Sequence, residues 1–259
     1  MTPTPPTDPA ELEHFLAEIR RLRAQIDAKQ QLLNTICHEL RGPLHVARLC
    51  LDNALSAPEL TPECREEIGL ADMSLGRAAG MAGDLLEATR IDHGGLTVSP
   101  RALDVGALVE ETVAAASRVA RRRSCRLVAT IADGVPLVMA DPERVRQIVS
   151  NLIDNALKFS PLDTTARVTV IPSPRSAGHV EIAVVDEGHG VDLATAERLF
   201  ERFHQAPSPH SRKGIGLGLY LCRDLVRRQG GDIWVENVAG AGARFAFTLP
   251  VAAAIATAA

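Results

Sequence analysis

Aromatic residues are scarce: the 259-residue chain has one Trp, one Tyr and six Phe. That excludes the stacked aromatic platforms on which single-stranded nucleic acids are held. Positive charge is not in excess, and a formal net charge of −4 argues against a general binder of nucleic acid or anionic membrane. The five cysteines, Cys37, Cys50, Cys64, Cys125 and Cys222, are scattered, with no C-x-x-C spacing. They form neither a zinc motif nor a disulfide framework, and read as reduced, intracellular thiols. No apolar run approaches the ~18 residues needed to cross a bilayer. The opening MTPTPPTDPA lacks a basic-plus-apolar signal pattern. A cytoplasmic chain without a membrane segment is expected, either whole or as the cytosolic part of something longer.

What is present begins with a heptad. Leu12, Ile19, Ile26, Leu33, Leu40, Ala47 and Ala54 recur at seven-residue steps, with Phe15, Leu22, Ile36 and Cys50 three positions behind. Those are the a and d positions of a helical seam. His38 falls at position f of this frame, pointing outward, with Glu39 beside it and Pro43 five residues on. Asp8-Pro9-Ala10-Glu11 starts the helix by cap, N1 proline and N3 glutamate. Pro58 and Pro62 punctuate its end near Ser56 and the start of a second helix that runs to about Ile91. Two amphipathic helices joined by a short loop predict an antiparallel hairpin. One partner helix covers each apolar stripe poorly, so a four-helix bundle from two chains is expected.

Asp92-His93-Gly94-Gly95 marks a boundary. Residues 1–7 and 251–259 are expected to be disordered, 8–92 to form the helical domain and 96–250 a second domain. There, short strands are predicted at Leu96–Ser99, Arg126–Ile131, Leu137–Ala140, Arg167–Ile171, Val180–Asp186, Asp232–Asn237 and Arg244–Leu249. Helices are predicted at Val105–Arg121, Pro142–Phe159, Leu193–Phe200 and Leu217–Gln229. Several strands follow one another directly, so the sheet is expected to be mixed.

Three features of this second domain carry chemistry. On the helix opened by Asp141-Pro142, Gln147, Asn151, Asn155 and Lys158 fall on one polar stripe opposite Val145, Ile148, Leu152 and Ala156. Such a stripe is either a solvated face or a source of amide oxygen for a hard cation and ammonium for phosphate. The strand ending in Asp186 runs into Glu187-Gly188-His189-Gly190, which is either an ordinary turn or a close backbone approach to a ligand. Gly214-Ile215-Gly216-Leu217-Gly218-Leu219 opens a helix and offers bare N–H groups to an anion. It is neither the P-loop pattern nor G-x-G-x-x-G after a strand. The polar stretch before it, Gln205–Lys213, reads as a mobile flap. His204 beside it and His210 within it are read as solvated rather than as metal ligands.

The order HELRGPL, NLIDNALKF, DEGHG, LFERF, GIGLGL and GGDIWVENVAGAGARFAFTLP resembles the transmitter module of two-component sensor histidine kinases, over residues 30 to 250. The resemblance implies a dimerising hairpin bearing a phosphorylated histidine, followed by an α/β sandwich ATP-binding domain of the gyrase/Hsp90/histidine kinase/MutL type. It implies His38 as phospho-acceptor and Glu39 as its acid/base neighbour. It further implies Asn155 as the Mg²⁺ ligand, Asn151 beside it, and Lys158 on the phosphates. Asp186 would accept from the adenine amino group, and Phe159 would stand near the base. Gly188, Gly190, Gly214, Gly216, Leu217 and Gly218 would shape the pocket and lid. Phe200 and Phe203 would anchor that lid, and Arg202 would help neutralise phosphate charge. The implied activity is Mg-ATP-dependent autophosphorylation followed by transfer to an aspartate of a response regulator. A nucleotide-binding pseudokinase scaffold is one alternative, and an ATPase-driven conformational machine related to the gyrase/Hsp90 group is the other. Gly42 and Gln205 depart from the family pattern, Gly42 at the position held to orient water for regulator dephosphorylation. Regulator phosphatase activity is therefore in doubt. His45, one heptad on, is the rival acceptor but lacks a following carboxylate.

Overall fold

The computed structural model describes residues 13, 15, 16, 18–21, 42, 44–52, 54, 61–92, 96–192, 194–204, 216–238 and 242–252. His38, Glu39, Gln205 and Gly214 lie outside the described residues. The chain divides into two compact units, Met1–His93 and Gly94–Ala259.

In the first unit every described residue of 13–54 is helical. The helix α1 follows over Pro62–Asp92, 31 residues long. Thr61 begins it, its hydroxyl accepting from the Cys64 amide. Arg48 of the preceding helical segment pairs with Asp72 of α1 at 3.4 Å, which brings the two segments side by side. Ala82, Leu86, Ala88 and Ile91 are buried toward the end of α1.

The second unit is a five-stranded sheet with helices packed on it. Its strands are β2 (Cys125–Ile131), β4 (Thr164–Pro172), β5 (His179–Val185), β6 (Ile233–Asn237) and β7 (Ala243–Pro250), in the order β2-β4-β5-β7-β6. β2 and β4 are parallel and the remaining pairs antiparallel, so the sheet is mixed. A separate two-stranded ribbon joins β1 (Arg101–Leu103) to β3 (Val138–Ala140). Register places Val180, Ile182 and Val184 opposite Leu249, Phe247 and Phe245, all buried. Helices α2 (Val105–Arg122), α3 (Pro142–Phe159) and α4 (Gly218–Arg228) pack on the sheet through Val109, Ile148, Leu152, Leu221 and Leu225.

The helices start where the chain supplies caps. Asp104 accepts from the Ala107 amide at the head of α2. Asp141 does the same for Glu143 and Arg144, with Pro142 at N1 of α3. The other oxygen of Asp141 accepts from the Ser99 amide at 2.9 Å. This corrects one expectation: Leu96–Ser99 is not a strand. Its backbone is held instead by side chains, Asp141 at Ser99 and Arg228 at the Leu96 carbonyl, and the strand begins past Pro100. Similarly, the helix expected at Leu193–Phe200 is a five-residue 3₁₀ turn, Ala196–Phe200, whose N-cap Thr195 makes no side-chain capping bond.

Candidate nucleotide site

Helix α3 sets one wall. Asn151, Asn155 and Lys158 stand at i, i+4 and i+7, spacing that puts them along one side, and all three are half-buried. The Asn151 Nδ2 is buried with no hydrogen-bond partner among the described residues. The head of α4 lies against it: a Cβ on Gly218 would come within 3.9 Å of the Asn151 side chain. Leu217, buried at the N-cap of α4, has no side chain able to cap. The α4 amides therefore lack the carboxylate that closes the heads of α2 and α3. An uncapped helix start of this kind attracts anions.

The second wall forms where β5 ends. Asp186 is 4% exposed, and its Oδ1 accepts from the amides of Gly188 at 2.8 Å and Ala243 at 3.1 Å. Its Oδ2 makes no hydrogen bond among the described residues. Burial raises the Asp186 carboxyl above the ordinary carboxylate range. The Ala243 and Gly188 amides and the charge of His189 partly offset that rise. Close approach dictates glycine here. A Cβ on Gly242 would sit 2.1 Å from Asp186 Oδ1, and one on Gly188 would sit 2.7 Å from the Phe159 carbonyl oxygen.

Phe159 closes the corner between the walls. Lys158 Nζ lies 4.8 Å from its ring centroid, and His189 meets it edge-on at 5.9 Å and 79°. Burial lowers the Lys158 pKa from its usual value. Gly190, at φ 74°, packs against Asn237. That Asn237 side chain clamps Val191 from both sides, accepting from its amide and donating to its carbonyl, each at 2.8 Å. Farther along, the Phe203 amide donates to the Gly216 carbonyl at 2.9 Å. The Arg202 guanidinium stands 4.9 Å from the Phe203 ring. Phe200 is buried, whereas Phe203 is exposed.

The structure thus joins Lys158, Phe159, Asp186, Gly188 and Gly190 in one set of contacts, and Asn151 with Gly218 in another; α3 carries members of both. Arg202, Phe203 and Gly216 form a third cluster. Sequence reasoning missed Gly242, Ala243 and Asn237. The signal was present in the A-G-A-G-A-R run before the last strand, which has no reason to be so small unless another backbone approaches it.

A buried aspartate at a strand end, a helix carrying side-chain amides and an uncapped helix start thus belong to one sheet-and-helix unit. Residues 140–253 match the family described as Histidine kinase-, DNA gyrase B-, and HSP90-like ATPase. The chain is 32% identical over 257 residues to the adaptive-response sensory kinase SasA of Synechococcus sp. (strain JA-2-3B'a(2-13)), covering 96% of this chain and 68% of that protein. Its identity to SasA of Synechococcus sp. (strain JA-3-3Ab) is 30%, covering 90% of this chain and 62% of that relative's length. Among solved structures, full-length ShkA in complex with AMPPNP superposes with a TM-score of 0.67 at 29% identity, over 86% of this chain and 46% of that one. The chain belongs to the two-component sensor histidine kinases and is a transmitter module of that family.

Among the described residues no group of three or more His, Cys, Asp or Glu could hold a metal ion. A magnesium ion nevertheless suits the residues present. It takes oxygen ligands and commonly rests on one or two protein groups plus substrate phosphates. Asn155 has a half-buried amide with no hydrogen bond among the described residues, and the uncapped α4 start adjoins the same helix. No helix among the described residues is long and apolar enough to cross a membrane.

Proposed function

We propose that the chain is the kinase core of a cytoplasmic sensor: it binds Mg-ATP in the second unit, autophosphorylates His38 and passes the phosphoryl group to an aspartate of a response regulator. The observation that carries the nucleotide reading is Asp186. One oxygen is fixed by two backbone amides and the other is left to accept, which suits a donor such as the adenine amino group. Phe159 forms the apolar side of the base pocket. Lys158 and the α4 amides at Gly218 receive the phosphates, with Gly214 and Arg202 contributing from the lid. Asn155 would hold magnesium, with Asn151 beside it. Bound there, the ion would neutralise charge on the phosphate oxygens.

Phosphoryl transfer is mainly positioning and charge neutralisation. A ring nitrogen of His38 attacks the γ-phosphorus, the bond from phosphorus to the β,γ-bridging oxygen breaks, and ADP departs. Glu39 hydrogen-bonds the other ring nitrogen and fixes the tautomer. In the second step the regulator's aspartate oxygen attacks the phosphohistidine and the P–N bond breaks. A dimeric four-helix bundle formed by the 8–92 hairpins presents His38 and the regulator's docking face. Exposed Val46, Leu49 and Leu70 in the first unit favour such pairing. Gly42 supplies no polar side chain to hold a hydrolytic water, so regulator dephosphorylation is expected to be slow.

The test is incubation with γ-³²P-ATP and Mg²⁺. Acid-labile label on the wild type, lost in His38→Gln and retained in His45→Gln, supports the reading. Nucleotide binding without label supports the pseudokinase scaffold instead.

A further inference from the structure

Away from the residues described above, a groove of about 590 Å³ opens between the end of α2 and the starts of β2 and β4. Arg121, Ser124, Arg126, Asp163 and Thr165 are among its lining residues. Its volume falls in the range of small-molecule clefts, roughly 300–1,000 Å³, and is small for a macromolecular docking surface.

The charges in the groove are unpaired. Among the described residues neither Arg121, Arg126 nor Asp163 takes part in an ion pair, although all three line one cleft. Arg118 and Arg122 on the same helix are likewise without one. Arginines in a last helical turn complement the helix dipole, which accounts for Arg121 and Arg122. It does not account for Arg126, which comes from a strand and faces the same space. With Asp163 the groove carries one net positive charge on exposed side chains, in a chain of net charge −4.

The hydroxyls sort by what they have left to give. Ser117 and Thr164 already donate to backbone carbonyls at 2.7 and 2.8 Å. Ser124 and Thr165 make no side-chain hydrogen bond among the described residues. The Asp163 amide donates to the Ser124 carbonyl at 2.7 Å, tying the two walls together. We propose that this groove binds a phosphate group, free or on a small ester, gripped by Arg121 and Arg126, with Ser124 and Thr165 completing the donor set. The guanidinium fork matches phosphate oxygens two at a time. The site is separate from the nucleotide reading and does not depend on it.

The test is an NMR titration of the whole chain at constant ionic strength with glycerol 3-phosphate, inorganic phosphate and citrate. The proposal expects saturable shifts at the amides of Ser124, Arg126 and Thr165 with both phosphates, and weaker binding of citrate. Arg121→Gln/Arg126→Gln should weaken that binding at least tenfold and leave the amides of Gly188 and Ala243 unmoved. Shifts that never saturate, that are equal with citrate, or that survive in the double variant overturn it.

Discussion

Gly242→Ala is the sharpest structural perturbation of the nucleotide site. Its methyl would lie 2.1 Å from Asp186 Oδ1 and 2.3 Å from the Gly188 amide nitrogen. Neither neighbour can retreat freely, since that oxygen already accepts from Gly188 and Ala243 and the side chain is buried. Relief requires moving the carboxylate or the strand start, at an overpacking cost of about 1–3 kcal/mol. If the carboxylate turns away from its proposed contact with the adenine amino group, one charged hydrogen bond of about 1.5–3 kcal/mol is lost. That corresponds to roughly a ten- to hundredfold rise in nucleotide Kd. Displacement of a fluorescent ATP analogue measures the affinity, and thermal unfolding of the same protein measures the strain. Gly83→Ala is the control: it lies within α1 with nothing within 4 Å of the added methyl. It should stabilise its helix by about 1 kcal/mol and leave nucleotide affinity unchanged. If Gly242→Ala binds ATP within twofold of wild type and unfolds at the same temperature, the reasoning from Asp186 is refuted.

Because burial raises the Asp186 carboxyl, nucleotide affinity should fall on acidification earlier than an ordinary carboxylate would cause. Asp186→Asn should bind more weakly at neutral pH with a flatter pH profile, measured by the same displacement. The sign for folding is opposite: a raised native pKa favours the protonated folded state, so this group subtracts stability as pH rises through its titration. Arg244 bridges Glu181 and Glu236 across β5, β7 and β6, and the Glu181 side chain is only 2% exposed. Arg244→Met, which strands that carboxylate, should cost about 3–5 kcal/mol, whereas Arg244→Met with Glu181→Gln should recover most of it in chemical denaturation; equal losses would show that the pair is not what matters. Gly42 is exposed with nothing within 4 Å of an added Cβ, so Gly42→Thr should fit and raise regulator dephosphorylation at least severalfold. No gain in that rate would remove Gly42 as its cause.

Much of the second unit was legible because the local signals agree. Asp141-Pro142 fixed the start of α3, and its end at Phe159 followed from the apolar periodicity through Leu157. The mixed sheet followed from strands arriving without intervening helices. Leu96–Ser99 misled because four residues of alternating polarity look alike whether they pair with a strand or are pinned by Asp141 and Arg228, and those partners lie 42 and 132 residues away. Gly242 and Asn237 escaped for the same reason: their role is to approach Asp186 and Val191, contacts that no periodicity encodes. The pairing of Glu181 with Arg244 was hidden by a sequence separation of 63.

The central claim is that a phosphate donor in the second unit serves His38 in the first. Autophosphorylation with γ-³²P-ATP, followed by mapping of the acid-labile site, tests it most directly. The account predicts label on His38, abolished by His38→Gln and by Asp186→Ala. Label on another residue, or none from a protein that binds ATP, would contradict it.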